Sequence, residues 1–137
     1  MARHDLFSNP LFGKALLNVG AFAVKRNSAD ASALKEAIRR LRRGSGLVVF
    51  PEGSRGFEGR RFDPQAGIGF LAAKTKVPVI PAYIKGTDKA LPKGAKFIRL
   101  HRISVSFGRE IPIGHKKDYQ DIAKEIMAEI CRLGENS

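Results

Sequence analysis

Tryptophan is absent from this chain, tyrosine occurs twice and cysteine once. A single cysteine, Cys131, cannot form an internal disulfide, and such sparse use of cysteine is typical of a reducing compartment. The sequence also has no zinc-ligand pattern and no aromatic-rich strand on which nucleic-acid bases could stack. We therefore expect neither a metal site nor a nucleic-acid partner.

Long apolar runs are also missing, since no stretch of about 18 apolar residues occurs that could span a bilayer. Hydrophobic residues nevertheless make up 43% of the chain. That proportion is enough for a folded core and argues against disorder. The length fits one domain, and we predict that residues 1–137 form it.

Acidic residues are few compared with basic ones. Lysine and arginine number 25 against 13 aspartates and glutamates, which gives a formal net charge of +12 and a pI of about 10.4. This charge predicts an anionic partner, which could be nucleic acid, an anionic membrane surface or a phosphorylated small molecule. Charge alone does not choose among them, although the low aromatic content disfavours nucleic acid.

The most informative stretch runs from residue 46 to residue 56. Leu47 to Phe50 is a continuous apolar run of the length that buried parallel strands use, and Pro51 ends it because proline cannot donate to a ladder. Glu52 and Arg55 follow at the strand's carboxyl end, where open α/β sheets bind ligands. The Arg55 guanidinium suits phosphate or carboxylate. The alternative is a surface turn in which Glu52 and Arg55 form ion pairs with each other or with neighbours.

Helical and extended patterns alternate in the order α, β, α, β, α, β, β, α. This order predicts an α/β fold with a mixed, largely parallel sheet flanked by helices. The predicted helices are Pro10–Gly20, a second that is capped within Asn27–Asp30 and runs to about Arg43, Gln65–Lys76, and a last one from Asp118 to Gly134. The predicted strands are Ala21–Arg26, Leu47–Phe50, Val77–Ile84 and Ile103–Phe107, the last with one buried face.

Several residues carry finer predictions about these elements. Gly20, Gly44 and Gly134 are predicted to end helices, and Gly67 and Gly69 to allow close backbone contact near the start of the third helix. The arginines between residues 39 and 43 are interpreted as solvated cations that offset a helix dipole. The predicted core stripes are Leu34, Ile38 and Leu41 in the second helix and Ile122, Ile126, Ile130 and Leu133 in the last, and residues 86–94 are predicted to be a basic loop.

Three short blocks become informative in combination: Gly20–Arg26, Phe50–Arg55 and Val77–Pro81. Their order and spacing resemble the glycerolipid acyltransferase family, whose best-known members are the 1-acyl-glycerol-3-phosphate acyltransferases. The second block fits the family's Phe-Pro-Glu-Gly-(Thr/Ser)-Arg pattern at every position. The other two blocks are weaker signals alone, but the resemblance covers nearly the whole chain.

This resemblance implies a function and a set of substrate-binding residues. Arg26 and Arg55 would hold the phosphate of the acyl acceptor, and the Ser54 hydroxyl would replace that of threonine. Pro81 would shape the pocket near the acyl donor. The implied set is Arg26, Phe50, Pro51, Glu52, Gly53, Ser54, Arg55 and Pro81.

The implied reaction moves a fatty acyl group to 1-acyl-sn-glycerol-3-phosphate and gives phosphatidic acid. Its donor would be acyl-CoA or acyl carrier protein, with no further cofactor. The implied location is cytoplasmic, in peripheral contact with an anionic membrane.

The family's catalytic block, His-x-x-x-x-Asp, has no match in this sequence. The fifth residue after His4 is Asn9, after His101 it is Ser106, and after His115 it is Gln120. We therefore assign no catalytic residue. We expect an N-terminally incomplete family member that is inactive alone. The alternative is a natural short homologue that binds phospholipid or a membrane surface without catalysis.

Overall fold

The computed structural model describes residues 2–3, 13–14, 17–18, 20–21, 23–24, 31–52, 64–92, 94–95, 97–113 and 118–135. Residues 13–14 and 17–18 are helical. The further helices are α1 (Ala31–Arg42), α2 (Ala66–Thr75), α3 (Thr87–Ala90) and α4 (Tyr119–Glu135). The strands are β1 (Ala2–Arg3), β2 (Ala23–Val24), β3 (Ala82–Lys85) and β4 (Ser104–Phe107).

The described strands form two small sheets. In the first, β1 and β2 are parallel, with Ala2 opposite Ala23. In the second, β3 and β4 are antiparallel, with Ala82 opposite Phe107 and Lys85 opposite Ser104. The fold therefore combines helices with strands, and the parallel pairing among the described residues is confined to β1 and β2.

The buried strand predicted for Leu47–Phe50 is wrong, because these residues are neither helix nor strand. Leu47 and Val49 are half-buried, whereas Val48 is 71% exposed and Phe50 is 59% exposed. A continuous apolar run becomes a buried strand only where neighbouring strands and both layers cover it. Because Val48 and Phe50 are exposed, at most one face of this run is covered within the described part of the chain.

The strand predicted for Val77–Ile84 begins later, at Ala82. The reason lies in Pro78 and Pro81, which have no N–H for a ladder. Between them, Val79 makes a single antiparallel bridge to Ile111.

The strand predicted for Ile103–Phe107 forms as β4, but its predicted buried face is wrong. Val105 and Phe107 are exposed, and Ser106 on the opposite face is half-buried. Ser106 stands opposite Tyr83, whose ring lies against Gly134 of α4. Helix α4 therefore covers the face that carries the serines and leaves the apolar face open.

The helix predictions are largely confirmed. Helix α2 has Gln65 at its N-cap and Lys76 at its C-cap, the latter in a left-handed conformation at φ 54°. Gly20 and Gly44 also have positive φ, as expected where helices end. The stripe of α1 differs from the prediction, since its buried residues are Ala33 and Ala37. The predicted stripe residues Leu34, Ile38 and Leu41 are half-buried.

The core lies where α2 meets α4. Ile122 and Ile126 are fully buried and pack with Ala72 and Ile111, and Ile130 lies against this cluster as predicted. Of the glycine predictions, the one for Gly69 is confirmed and the one for Gly134 is not. Gly69 confirms the predicted close contact, because a Cβ there would lie 1.9 Å from the Tyr119 carbonyl oxygen.

Gly134 does not end α4, which continues to Glu135. Its role is steric, because a Cβ at Gly134 would lie 2.7 Å from the Tyr83 ring. The predicted basic loop over residues 86–94 is also revised, because it contains the single-turn helix α3.

Candidate functional site

A backbone hydrogen bond fixes Pro51, in the second sequence block (Phe50–Arg55). Pro51 is buried, and its carbonyl oxygen accepts the N–H of Gln65 at 3.0 Å. Gln65 is also the N-cap of α2, and its side chain makes no capping hydrogen bond. Pro51 and Gln65, which flank residues 52–64, therefore lie next to each other at the start of α2.

A second contact fixes the end of residues 52–64 to α4. The side-chain amide of Gln120 donates from Nε2 to the carbonyl oxygen of buried Pro64 at 3.0 Å. The start of α4 is itself fixed on α2, because the rings of Tyr119 and Phe70 meet edge to face at 5.4 Å. Two helices therefore hold the ends of residues 52–64.

The predicted acceptor site is described only in part. Phe50 is exposed and Glu52 is half-buried beside buried Pro51. Arg26, Gly53, Ser54 and Arg55 lie outside the described residues. Their roles at a phosphate remain a prediction. What the structure adds is the hydrogen-bonded position of Pro51 and Pro64 on either side of the residues that are not described.

Helix α1 contacts the first sequence block through Arg40. The guanidinium donates from Nη1 to the Gly20 carbonyl oxygen at 2.6 Å and from Nε to Glu36 Oε1 at 2.7 Å. Glu36 also accepts from Arg39 Nε at 2.8 Å and Nη2 at 2.7 Å. Hydrogen bonds from Arg39 and then Arg40 lower the pKa of the Glu36 carboxyl from 4.5 to about 2. Glu36 therefore stays ionised and orients Arg40 toward Gly20.

Sequence reasoning missed this contact, because it interpreted all the arginines of α1 as solvated. The available signal was the spacing of Glu36 and Arg40, which lie one helical turn apart and face each other. The remaining cations of α1 fit the original interpretation better. Together with Ile38 and Arg39, exposed Lys35, Arg42 and Arg43 line an open depression of about 480 Å³.

Pro81 is held near the other end of α4. It is buried, and its carbonyl oxygen accepts the N–H of Gly108 at 2.9 Å. Its ring and the side chain of Leu133 both contact Gly108. Leu133 and Gln120 are separated by about 20 Å along α4, at the usual rise per residue. The links to α4 are thus indirect: Pro51 reaches its start through Gln65 and Pro64, and Pro81 lies with Leu133 around Gly108 near its end.

The described part of the chain contains no group of three or more His, Cys, Asp and Glu side chains that could bind a metal ion. It also contains no helix with the length and apolar character needed to cross a membrane. His101 is exposed, Cys131 is a free exposed thiol, and His4 and His115 lie outside the described residues.

Comparison with known protein families gives a match to the model of the family named Acyltransferase, over residues 1–85. That range contains all three sequence blocks: Gly20–Arg26, Phe50–Arg55 and Val77–Pro81.

Comparison with individual proteins gives similar relatives from bacteria. The 1-acyl-sn-glycerol-3-phosphate acyltransferase of Streptococcus pneumoniae is 32% identical over 145 residues, which cover 100% of this chain and 51% of the relative. The enzyme of the same name from Bacillus subtilis is 27% identical, with 93% and 60% covered. The chain thus spans about half the length of the curated relatives it matches.

A solved structure has the same fold. The crystal structure of the 1-acyl-sn-glycerophosphate (LPA) acyltransferase PlsC from Thermotoga maritima superposes with a TM-score of 0.78 at 25% identity. The match covers 98% of this chain and 54% of that one.

Proposed function

Because the chain belongs to the acyltransferase family, we propose that it serves the transfer of a fatty acyl group to 1-acyl-sn-glycerol-3-phosphate, which gives phosphatidic acid. The observation that carries this proposal is the family match over residues 1–85, which includes the Phe50–Arg55 block. The acceptor is inferred from the activity for which the two bacterial relatives are named. The donor, acyl-CoA or acyl carrier protein, comes from the resemblance of the sequence blocks.

In this proposal, Arg26 and Arg55 bind the acceptor phosphate. Guanidinium groups form paired, charge-assisted hydrogen bonds with phosphate oxygens. Support comes from the anchoring of both blocks. Arg40 holds the carbonyl of Gly20 at the start of the first block, and Gln65 and Gln120 hold the base of the second. An anchored backbone reduces the entropy lost when a loop becomes ordered on a ligand.

Acyl transfer requires the acceptor hydroxyl to attack the thioester carbonyl carbon and to lose its proton to a base. The thiolate of the donor then leaves and takes up a proton. The sequence contains no His-x-x-x-x-Asp block to act as this base. We therefore propose that these 137 residues bind the acceptor but do not transfer the acyl group by themselves. Their proposed location is the cytoplasmic face of an anionic membrane.

Isothermal titration of the chain with a short-chain 1-acyl-sn-glycerol-3-phosphate tests acceptor binding. Loss of one phosphate contact in Arg55→Gln is expected to weaken binding about tenfold, since hydrogen bonds to charged groups contribute about 1.5–3 kcal/mol. Arg42→Gln removes the same charge from α1 and is the matched control. Equal affinities for the wild type and Arg55→Gln would contradict the proposed phosphate site.

A further inference from the structure

The segment from residue 97 to residue 103 carries the most exposed apolar side chains of the described chain. Phe97 is 82% exposed, Ile98 is 80% exposed and Leu100 is 108% exposed. Side chains of this size are normally at least partly covered in a soluble domain. Three of them within four positions form a patch that needs a partner.

The backbone of this segment is fixed in place beneath its exposed side chains. The N–H of Arg99 donates to the carbonyl oxygen of Ala90, the last residue of α3, at 2.7 Å. The carbonyl of Arg102 lies so close to Gly86 that a Cβ there would be 2.3 Å from its oxygen. Gly86 has φ 91°, a conformation that suits glycine. Helix α3 and its preceding glycine thus form a platform that presents residues 97–103.

Cations are interleaved with these apolar side chains. Arg99 and Arg102 are exposed, and the described residues give neither of them an ion-pair partner. Between residues 85 and 109 the sequence contains one acidic residue, Asp88, which is exposed on α3. The basic residues of that range are Lys85, Lys89, Lys93, Lys96, Arg99, Arg102 and Arg109.

The alternation of apolar and basic side chains in residues 97–103 indicates which kind of surface could cover this segment. A covering protein layer would have to bury the guanidinium groups of Arg99 and Arg102 together with Leu100, which costs several kcal/mol per unpaired ion. The interface of an anionic bilayer takes both kinds of group at once. Apolar side chains enter the boundary between headgroups and acyl chains, while arginines remain at the level of the phosphates. The exposed apolar face of β3 and β4 has no such cations among its residues, and nothing in the described chain indicates what covers it.

We propose that residues 97–103 are a membrane-docking segment that inserts Phe97, Ile98 and Leu100 into the surface of an anionic bilayer, with Arg99 and Arg102 on lipid phosphates. The proposal rests on the proposed function only in that a lipid acceptor places the protein at a membrane. Docking itself needs no acyl transfer and no acceptor site.

Flotation of the full chain with vesicles tests this proposal, because vesicle-bound protein rises while aggregated protein does not. The vesicles contain phosphatidylcholine, with or without phosphatidylglycerol. The wild type is expected to float with the anionic vesicles and much less with the neutral ones. The Phe97→Ser/Leu100→Ser variant is expected to bind anionic vesicles at least about tenfold more weakly, given about 25 cal/mol per Å² of apolar surface withdrawn from water.

Two matched control variants distinguish a specific effect of residues 97–103 from non-specific hydrophobic binding and from a general effect of net charge. Val105→Ser/Phe107→Ser removes the same kinds of side chain from the β4 face and should keep most of the binding. Arg99→Gln/Arg102→Gln should weaken binding about thirtyfold, since each of the two cations near an anionic leaflet contributes about 1 kcal/mol. Arg42→Gln/Arg43→Gln removes equal charge from the last residue of α1 and the residue after it, and should weaken binding much less. Circular dichroism verifies that each variant is folded.

The proposal is overturned if Phe97→Ser/Leu100→Ser floats like the wild type, or if the β4 variant loses as much binding. It is also overturned if Phe97→Ser/Leu100→Ser reduces self-association in gel filtration while vesicle binding is unchanged, since the segment would then be a protein interface. Failure of the proposed function gives a different result. In that case, Arg55→Gln leaves acceptor titration unchanged while flotation still depends on residues 97–103.

Discussion

At the residue scale, glycines at tight contacts decide how closely elements approach. Gly67 and Gly69 occupy the first two turns of the same helix and look equivalent in the sequence. In the structure, Gly69 faces the backbone of Tyr119, whereas a Cβ at Gly67 would meet only Leu34 Cδ2 at 3.9 Å. The same residue type therefore has a steric role at one position and none at the other.

Gly69→Ala is expected to destabilise the chain by about 1–3 kcal/mol, because a methyl group there overlaps the Tyr119 carbonyl and must push α2 from α4. Gly67→Ala is the control and should stabilise α2 by up to about 1 kcal/mol through helix propensity. Urea unfolding followed by circular dichroism measures both. Similar midpoints for the two variants would show that the close contact with Tyr119 is absent in solution.

The Glu36 carboxyl makes the free energy of unfolding depend on pH. Its pKa is lowered to about 2 in the folded chain from 4.5, so the unfolded state takes up the proton first on acidification. Its stabilising contribution is complete above pH 4.5 and is lost as the pH falls toward 2. Glu36→Gln should therefore be less stable than the wild type at neutral pH, with the difference closing across this window.

Thermal melts at a series of pH values measure that difference. Glu110→Gln is a suitable control, since Glu110 is an exposed carboxylate with no ion pair among the described residues. A constant gap between Glu36→Gln and the wild type at all pH values would contradict the ion-pair assignment.

At the scale of elements, α4 organises the fold. It packs against both α2 and β3, its start holds Pro64 through Gln120, and Leu133 near its end contacts Gly108. Asp118 helps to fix the start of the helix, because its carboxylate accepts the N–H of Tyr119 at 2.8 Å. The predicted stripe of α4 located the core correctly, but no periodicity could show which loops the polar side of the helix holds.

Gln120→Ala is expected to cost about 0.5–1.5 kcal/mol or more, because it leaves the carbonyl of buried Pro64 without this hydrogen bond. The looser base of residues 52–64 should also weaken acceptor binding. Gln65→Ala is the control, since it keeps the backbone N–H that bonds Pro51 and removes a side chain with no capping bond. Urea unfolding and acceptor titration are the measurements, and equal behaviour of the two variants would argue against the anchor.

At the scale of the whole molecule, the described chain has many large apolar side chains that are exposed to solvent outside its core. Four large apolar residues are exposed on β3, on β4 and two positions before β3: Ile80, Ile84, Val105 and Phe107. Exposed apolar faces of this kind promote association.

The isolated chain is therefore expected to self-associate, to bind a hydrophobic dye and to show no acyl transfer. Light scattering, dye fluorescence and an assay with labelled acyl-CoA and lysophosphatidic acid check these three outcomes. A monodisperse monomer would contradict the first, and robust product formation would contradict the proposal that the chain lacks a general base.

The sequence by itself determined the family resemblance, the positions of the long helices and the core residues Ile122 and Ile126. These depend on local patterns, since capping, periodicity and a six-residue block are all written in neighbouring residues. Only the tertiary structure decided that Leu47–Phe50 is half exposed, that Arg40 binds Gly20 and that Gly134 fits the Tyr83 ring. Each of these depends on a partner far along the chain, and burial follows from what covers a segment rather than from its composition.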